Sequence, residues 1–346
     1  MIKKINLNNF RIHNEITLKL SKNFIYITGP NGSGKTSILE AIYYLSTTKS
    51  HRTNNDLDVI RKDEPFAKMS LETNINKYQM VISEKGKIAS INNKEVRKLS
   101  EFIGNLKVIM FSPEDLNIVK GSPSVRRSFI DLELLKISRP YLTNLNTYKN
   151  ILKQRNMLLK NLTITDDFIF LNILGKQLYD VGIRVINERK QFIADLDFET
   201  KKVYQKLSGH KIELIYKPNV NETDFLQHIN KNQKQDIMYK ATISGPHRDD
   251  LTILFNDRDA TFASQGEIRL IVVAIKLGLL SVIKNWTKDE VILLLDDVLS
   301  ELDSNVQTKV LNDLPDDIQV IMNSAIKIKS DKIQIIELEN RGNMNE

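Results

Sequence analysis

Apolar and polar residues alternate with a period of two toward both ends of the chain and with a helical period in its middle. Ile2, Ile5 and Leu7 open an apolar rhythm, and Ile16, Leu18 and Leu20 alternate with polar neighbours, the mark of a half-buried strand. Phe24 to Thr28 predicts a short strand. Lys35 to Leu45 predicts a helix with Ile38, Ala41, Ile42 and Leu45 on one face. From Ala67 to Ile91, short alternating stretches divided by turn formers at 84–87 and 91–93 predict an antiparallel β-subdomain. Between about 124 and 207, Gly and Pro are scarce. There Leu142, Leu145, Tyr148, Ile151, Leu152, Leu158 and Leu159 recur at helical spacing, which predicts long helices in a separate lobe, broken near 161–167. Strand signals return at 212–216, 251–255, 291–295, 319–322 and 332–338, around an apolar helix at 268–283. No heptad pattern persists, so a long coiled-coil arm is excluded.

Composition narrows the class. The chain has 346 residues, enough for about two domains or one large lobed one. It has no cysteine, which excludes disulfide scaffolds, thiolate zinc sites and cysteine nucleophiles. Runs such as 270–275 and 291–295 fall far short of the ~18–20 apolar residues that cross a bilayer, and the N-terminus lacks a signal-like apolar core. A cytoplasmic protein without a membrane partner is expected. The net charge of +7 is uneven: residues 297–346 carry −5, leaving +12 on the rest. A basic body fits a polyanionic partner such as DNA, and it equally fits simple solubility.

Three motifs carry chemistry. Gly29-Pro30-Asn31-Gly32-Ser33-Gly34-Lys35-Thr36 matches GxxxxGK[ST] between a strand and a helix, the context of a phosphate-binding loop for ATP. Its glycines let backbone N–H groups converge on phosphate, and the following helix adds its positive end. Lys35 is expected to bridge the β- and γ-phosphates, and Thr36 to ligate Mg²⁺. In VILLLDDVLSELD (291–303), an apolar strand ends in two carboxylates. Asp296 is the expected Mg²⁺ partner opposite Thr36, and Asp297 the residue that polarises the attacking water. The third motif is Ala263-Ser264-Gln265-Gly266-Glu267, before the apolar helix. Ser264 and Gly266 there are either ordinary capping residues or part of a nucleotide site.

The order of these motifs resembles the ABC-type ATPase head, in which the signature serine reaches across a dimer to the other subunit's γ-phosphate. Leu299 to Asp303 would be the loop after the acid pair, with Asp303 at the dimer seam. Transporter ATPases usually carry a switch-loop histidine, whereas the last histidine here is His247. Further segments are similar to the RecF family: Asn9-Phe10-Arg11, LEAIYYLSTTKSHRT (39–53), FSPEDLNIVKGSPSVRRSFID (111–131), LKQRNMLLK (152–160) and GPHRDDL (245–251). The resemblance implies an α/β fold: an ABC-type ATPase head with a P-loop mixed sheet, an antiparallel β-subdomain and an inserted helical lobe. It places the head in 1–120 and 211–346 and the lobe in 121–210. It also implies a weak, DNA-stimulated ATPase whose ATP-bound homodimer clamps duplex DNA and single-strand/duplex junctions. Such a protein works with RecR, and through it RecO and RecA, in replication, repair and the SOS response. The chain departs from the family at Glu267, commonly Gln, and at Asn323-Ser324, where threonines are usual. His51-Arg52 either approach the nucleotide or the dimer seam, or sit in a solvated loop. GPHRDDL either holds an anion or metal, with Arg248 as the candidate, or forms a salt-bridged turn; Arg126-Arg127 pose the same choice. Lys68, Lys94, Arg97 and Lys98 are candidate phosphate contacts. A membrane-coupled ABC ATPase and a small-molecule kinase remain the alternatives.

Overall fold

The computed structural model describes residues 1–297, 302–323 and 332–339. In chain order the strands are β1 (Ile2–Phe10), β2 (His13–Lys19), β3 (Phe24–Thr28), β4 (Phe66–Thr73), β5 (Lys77–Ser83), β6 (Gly86–Ile91), β7 (Lys94–Glu95), β8 (Lys107–Phe111), β9 (Ile212–Lys217), β10 (Asp250–Phe255), β11 (Arg258–Asp259), β12 (Val291–Asp296), β13 (Gln319–Asn323) and β14 (Ile333–Glu337). The helices are α1 (Lys35–Thr47), α2 (Leu99–Phe102), α3 (Asn117–Lys120), α4 (Pro123–Ile137), α5 (Arg139–Asn161), α6 (Ile169–Ser208), α7 (Phe225–Lys231), α8 (Gln233–Tyr239), α9 (Gln265–Thr287) and α10 (Ser304–Asn312).

The chain divides into two units. One comprises residues 1–116 and 269–346, the other 117–268. The first holds a parallel sheet ordered β14-β3-β13-β12-β8 and an antiparallel sheet ordered β2-β1-β4-β5-β6-β7. β8, β12 and β13 are buried along their whole length. Their unbroken apolar sequences are what a parallel strand covered on both faces requires. α1 packs against β8, β12 and β13 on one side and β1, β4 and β5 on the other. Every residue from Ser37 to Thr47 is therefore buried, rather than the single stripe its periodicity predicts.

The second unit contains α3 to α8 and a three-stranded sheet ordered β11-β10-β9. The 40-residue α6 packs along the 23-residue α5, and β9 follows α6 directly and packs on it. This moves the boundary expected at 210 to 268: the β signals at 212–216 and 251–255 belong with the helices. Arg189, 2% exposed, ties this unit together. Its guanidinium donates to the Tyr141 hydroxyl (2.9 Å), the Pro246 carbonyl (2.6 Å), Asp249 (3.0 Å) and Asp131 (2.7 Å). A buried charge at this depth is tolerable only with such complete pairing.

Candidate functional site

The parallel register assembles the site. Asp296 pairs with Asn323, and Asn323 with Ile27, so the C-terminal ends of β12, β13 and β3 lie side by side. The loop 29–34 leaves β3 at this edge and α1 begins at Lys35, the place where open α/β sheets bind ligands. A cleft of about 670 Å³ opens here, lined by Gly29, Asn31, Gly32, Gly34, Lys35, Thr36, Arg52, Asp297 and Asn323 among others.

The loop needs its glycines. Gly34 has φ +89°, and a Cβ on it would run into the His13 ring, whose Nε2 lies 3.1 Å from the Gly34 carbonyl. Lys35 Nζ folds back onto the carbonyls of Gly29 (2.7 Å) and Pro30 (2.8 Å), closing the loop around an ammonium group. Ser33 Oγ is buried with no partner among the described residues.

The Thr36 hydroxyl donates to Asp296 Oδ1 at 2.8 Å. Asn323 Nδ2 donates to the same carboxylate oxygen at 2.6 Å, while its Oδ1 accepts from the Asp297 N–H at 2.8 Å. Burial pushes the Asp296 carboxyl up, partly offset by the Asn323 and Thr36 hydrogen bonds. Asp297 sits in the left-handed region at φ +55°, exposed at the cleft wall. Asn323 is thus the hub that joins the acid pair to Thr36, a role its sequence position beside Ser324 did not reveal. Ser324 and Leu299 to Glu301 lie outside the described residues.

The sequence also gave no sign of a buried acidic hub on α1. Glu40, 0% exposed, accepts from Arg11 Nε (2.9 Å) and Nη2 (2.6 Å) and from the Ser50 hydroxyl (2.6 Å), with Arg52 3.6 Å away. Burial alone would raise its carboxyl. The Arg11 guanidinium and the Ser50 hydroxyl outweigh it and hold the group below the ordinary carboxylate range. Ser50 Oγ in turn accepts from the N–H groups of Arg52 and Thr53. Glu40 therefore fixes the loop that puts Arg52 at the cleft, whereas His51 packs edge-on to Tyr43.

In the other unit, Ser264 and Glu267 cap α9 reciprocally. Glu267 Oε2 accepts from the Ser264 N–H (2.7 Å), and Ser264 Oγ accepts from the Glu267 N–H (3.3 Å). Glu267 thus completes a capping box, a role the family's Gln could also fill, and Ser264 and Gly266 stay exposed. The 245–251 segment is a structural turn. Because the Thr242 carbonyl only accepts, His247 Nε2 carries the proton and donates to it (2.9 Å), and Nδ1 takes the Tyr148 hydroxyl (2.7 Å). Burial and the neighbouring arginines bring His247 down to about 4. Arg126 is bidentate to Asp250 and Arg127 donates to the Asp249 carbonyl, while Arg248 is exposed. Lys68, Lys94, Arg97 and Lys98 are exposed, on or just after strands of the antiparallel sheet.

Comparison with known proteins gives the family and the fold. The family model described as "RecF/RecN/SMC N terminal domain" matches residues 1–336. The chain is 48% identical to DNA replication and repair protein RecF of Acholeplasma laidlawii, over 95% of this chain and 94% of that one. It is 40% identical to the protein of the same name from Streptococcus thermophilus strain LMD-9, over 94% and 92%. Among solved structures, the recombination mediator protein RecF-ATP in the RecFOR pathway superposes with a TM-score of 0.91 at 28% identity, covering 97% of this chain and 95% of that one. An Smc head bound to the C-terminal winged-helix domain of ScpA superposes at 0.55 with 16% identity, a likeness of fold alone, covering 97% and 94%. The fold is that of an ABC-type ATPase head, and with a matching family model and near-full-length relatives at these identities, the chain belongs to the RecF family.

Proposed function

We propose that this chain is an ATP-switched DNA-binding protein of replication and recombinational repair. The observation that carries it is the single cleft where the loop 29–36, the Thr36–Asp296–Asn323 cluster and Asp297 converge, in a chain of the RecF family.

The residues fit Mg-ATP. Thr36 and Asp296 present hard oxygen donors 2.8 Å apart, the donor chemistry Mg²⁺ takes, and they are the residues that would hold it. The ion would supply charge neutralisation at the phosphates. Lys35, whose Nζ lies at the loop carbonyls of Gly29 and Pro30, would hold the phosphate oxygens with its ammonium group. The backbone N–H groups of Gly32 to Thr36 and the start of α1 add fixed positive potential. Asp297, beside the acid that binds metal, orients and polarises the attacking water. Ser264 and Gly266, exposed at the start of α9, meet the nucleotide of a second copy, so that ATP closes a homodimer on duplex DNA or a single-strand/duplex junction and slow hydrolysis opens it. RecR, and through it RecO and RecA, are the partners, with the SOS response as the physiological setting. The setting is cytoplasmic; no described helix is long and apolar enough to cross a membrane.

Filter binding of a duplex with a single-stranded gap, with ATP and without nucleotide, tests this. Tighter binding with ATP is expected. DNA binding that ignores ATP, or none at all, would overturn it.

A further inference from the structure

Exposed large apolar side chains on this protein are mostly single and scattered, which needs no explanation. One end of the helical unit is different. Of sixteen exposed large hydrophobics among the described residues, seven come from three short segments that meet there, each 49% to 71% exposed. Met157 lies near the end of α5, Ile164 in the connection to α6, and Ile169, Phe170 and Ile173 in the first turns of α6. Met238 and Tyr239 close α8. The three ends are packed together beneath this surface. Leu159, Leu171 and Ile237 form one buried cluster with Leu158, Leu162 and Phe168 against it, and Lys240 donates to the Leu162 carbonyl at 2.7 Å. Each exposed residue is thus the sequence neighbour of a residue in that cluster or lies within a turn of one.

Cations rim the patch. Lys153 and Lys160 share the exposed face of α5 with Met157, at i−4 and i+3. Lys176 follows Ile173 by one turn, Lys234 precedes Met238 by one turn, and Lys231 and Lys240 flank α8. The acids within the patch are Asp166 and Asp167, and Asp166 is engaged with the Thr163 N–H and hydroxyl.

We propose that this end of the helical unit is a docking surface for an acidic amphipathic protein segment, its apolar face on Phe170, Ile173 and Met238 and its carboxylates on the lysine rim. Charge complementarity selects that occupant. A second copy placed face to face would set lysines against lysines, because a two-fold contact pairs a patch with itself. Single-stranded DNA would use the lysines and the rings of Phe170 and Tyr239, but five of the seven apolar residues are aliphatic and offer bases no stacking surface. A helix with Leu and Phe on one face and Glu on the other satisfies both parts of the surface.

The test uses the full-length chain and a fluorescent peptide with Leu or Phe at i, i+3, i+4 and i+7 and Glu elsewhere, followed by anisotropy. A peptide of equal composition with its apolar residues dispersed, and a single-stranded oligonucleotide, serve as comparisons. Saturable binding is expected, about tenfold weaker for the dispersed peptide and for Phe170→Glu/Ile173→Glu, and weaker again for Lys160→Glu/Lys234→Glu or in raised salt. These side chains are exposed, so the variants should keep their melting temperature. No binding, equal binding of the dispersed peptide, full competition by the oligonucleotide through the same residues, or a nucleotide-independent dimer abolished by Phe170→Glu would each overturn the proposal.

Discussion

At the residue scale, the motifs that meet at the cleft are each local in sequence and legible there; the residues that organise them are not. Gly29 to Thr36 and Asp296-Asp297 each carry their pattern within a few positions. Asn323 and Glu40 act across 27 to 287 residues of separation, through Asp296, Thr36 and Arg11, and only the parallel register and the burial of α1 reveal them. Lys35→Ala should weaken ATP binding by about 10- to 150-fold, the worth of one charge-assisted contact, measured by equilibrium titration. Asp297→Asn should leave ATP binding intact and slow hydrolysis by about 10² to 10⁴ in single-turnover assays. Arg11→Ala should cost about 1.5–3 kcal/mol in denaturant unfolding, because it removes the bidentate partner of the buried Glu40 carboxylate and leaves it the Ser50 hydroxyl and Arg52 at 3.6 Å. That cost has a definite pH sign. With its carboxyl held low, Glu40 contributes stability above its ordinary value of 4.5 and loses it as the pH falls through the folded value. Without Arg11, burial raises the group and acid relieves it. The gap between wild type and Arg11→Ala should therefore narrow toward and below pH 4.5.

At the element scale, periodicity located strands and helices but not what covers them. α1 reads as amphipathic, yet two sheets bury it all round, a fact that depends on strands far away in sequence. α9 shows the opposite case: Ser264, read as a capping residue in the sequence, does cap the helix, and its partner Glu267 lies only three residues on. Glycines in these helices separate packing from function. A Cβ on Gly182 in α6 would meet Phe225 at 2.6 Å and Tyr148 at 3.1 Å, so Gly182→Ala should destabilise by about 1–3 kcal/mol through overpacking. A Cβ on Gly266 meets nothing within 4 Å, so Gly266→Ala should keep or raise stability by up to about 1 kcal/mol. Loss of ATP-dependent dimerisation in that stable variant, followed by light scattering, would assign Gly266 to the interface.

At the scale of the whole molecule, the sequence predicts an α/β head with a helical lobe but misplaces the boundary, because β9 and β10 resemble head strands and only their packing on α6 and α4 assigns them. The sheet order also sets what can fold alone. Residues 117–268 are contiguous and carry their own core, so that fragment should unfold cooperatively in circular dichroism. Residues 1–116 hold β3 and β8, which are not neighbours in the order β14-β3-β13-β12-β8, so that fragment should not form the parallel sheet. Under the proposed clamp, the +12 body would be the part that meets DNA when ATP brings two heads together. The most direct test of that claim is the sedimentation coefficient of the wild type and of Ser264→Arg with saturating Mg-ATP. An ATP-switched clamp predicts a wild-type dimer with ATP, a monomer without it, and a Ser264→Arg protein that still binds ATP but stays monomeric. A wild type that remains monomeric with bound ATP, or a Ser264→Arg protein that dimerises normally, would contradict it.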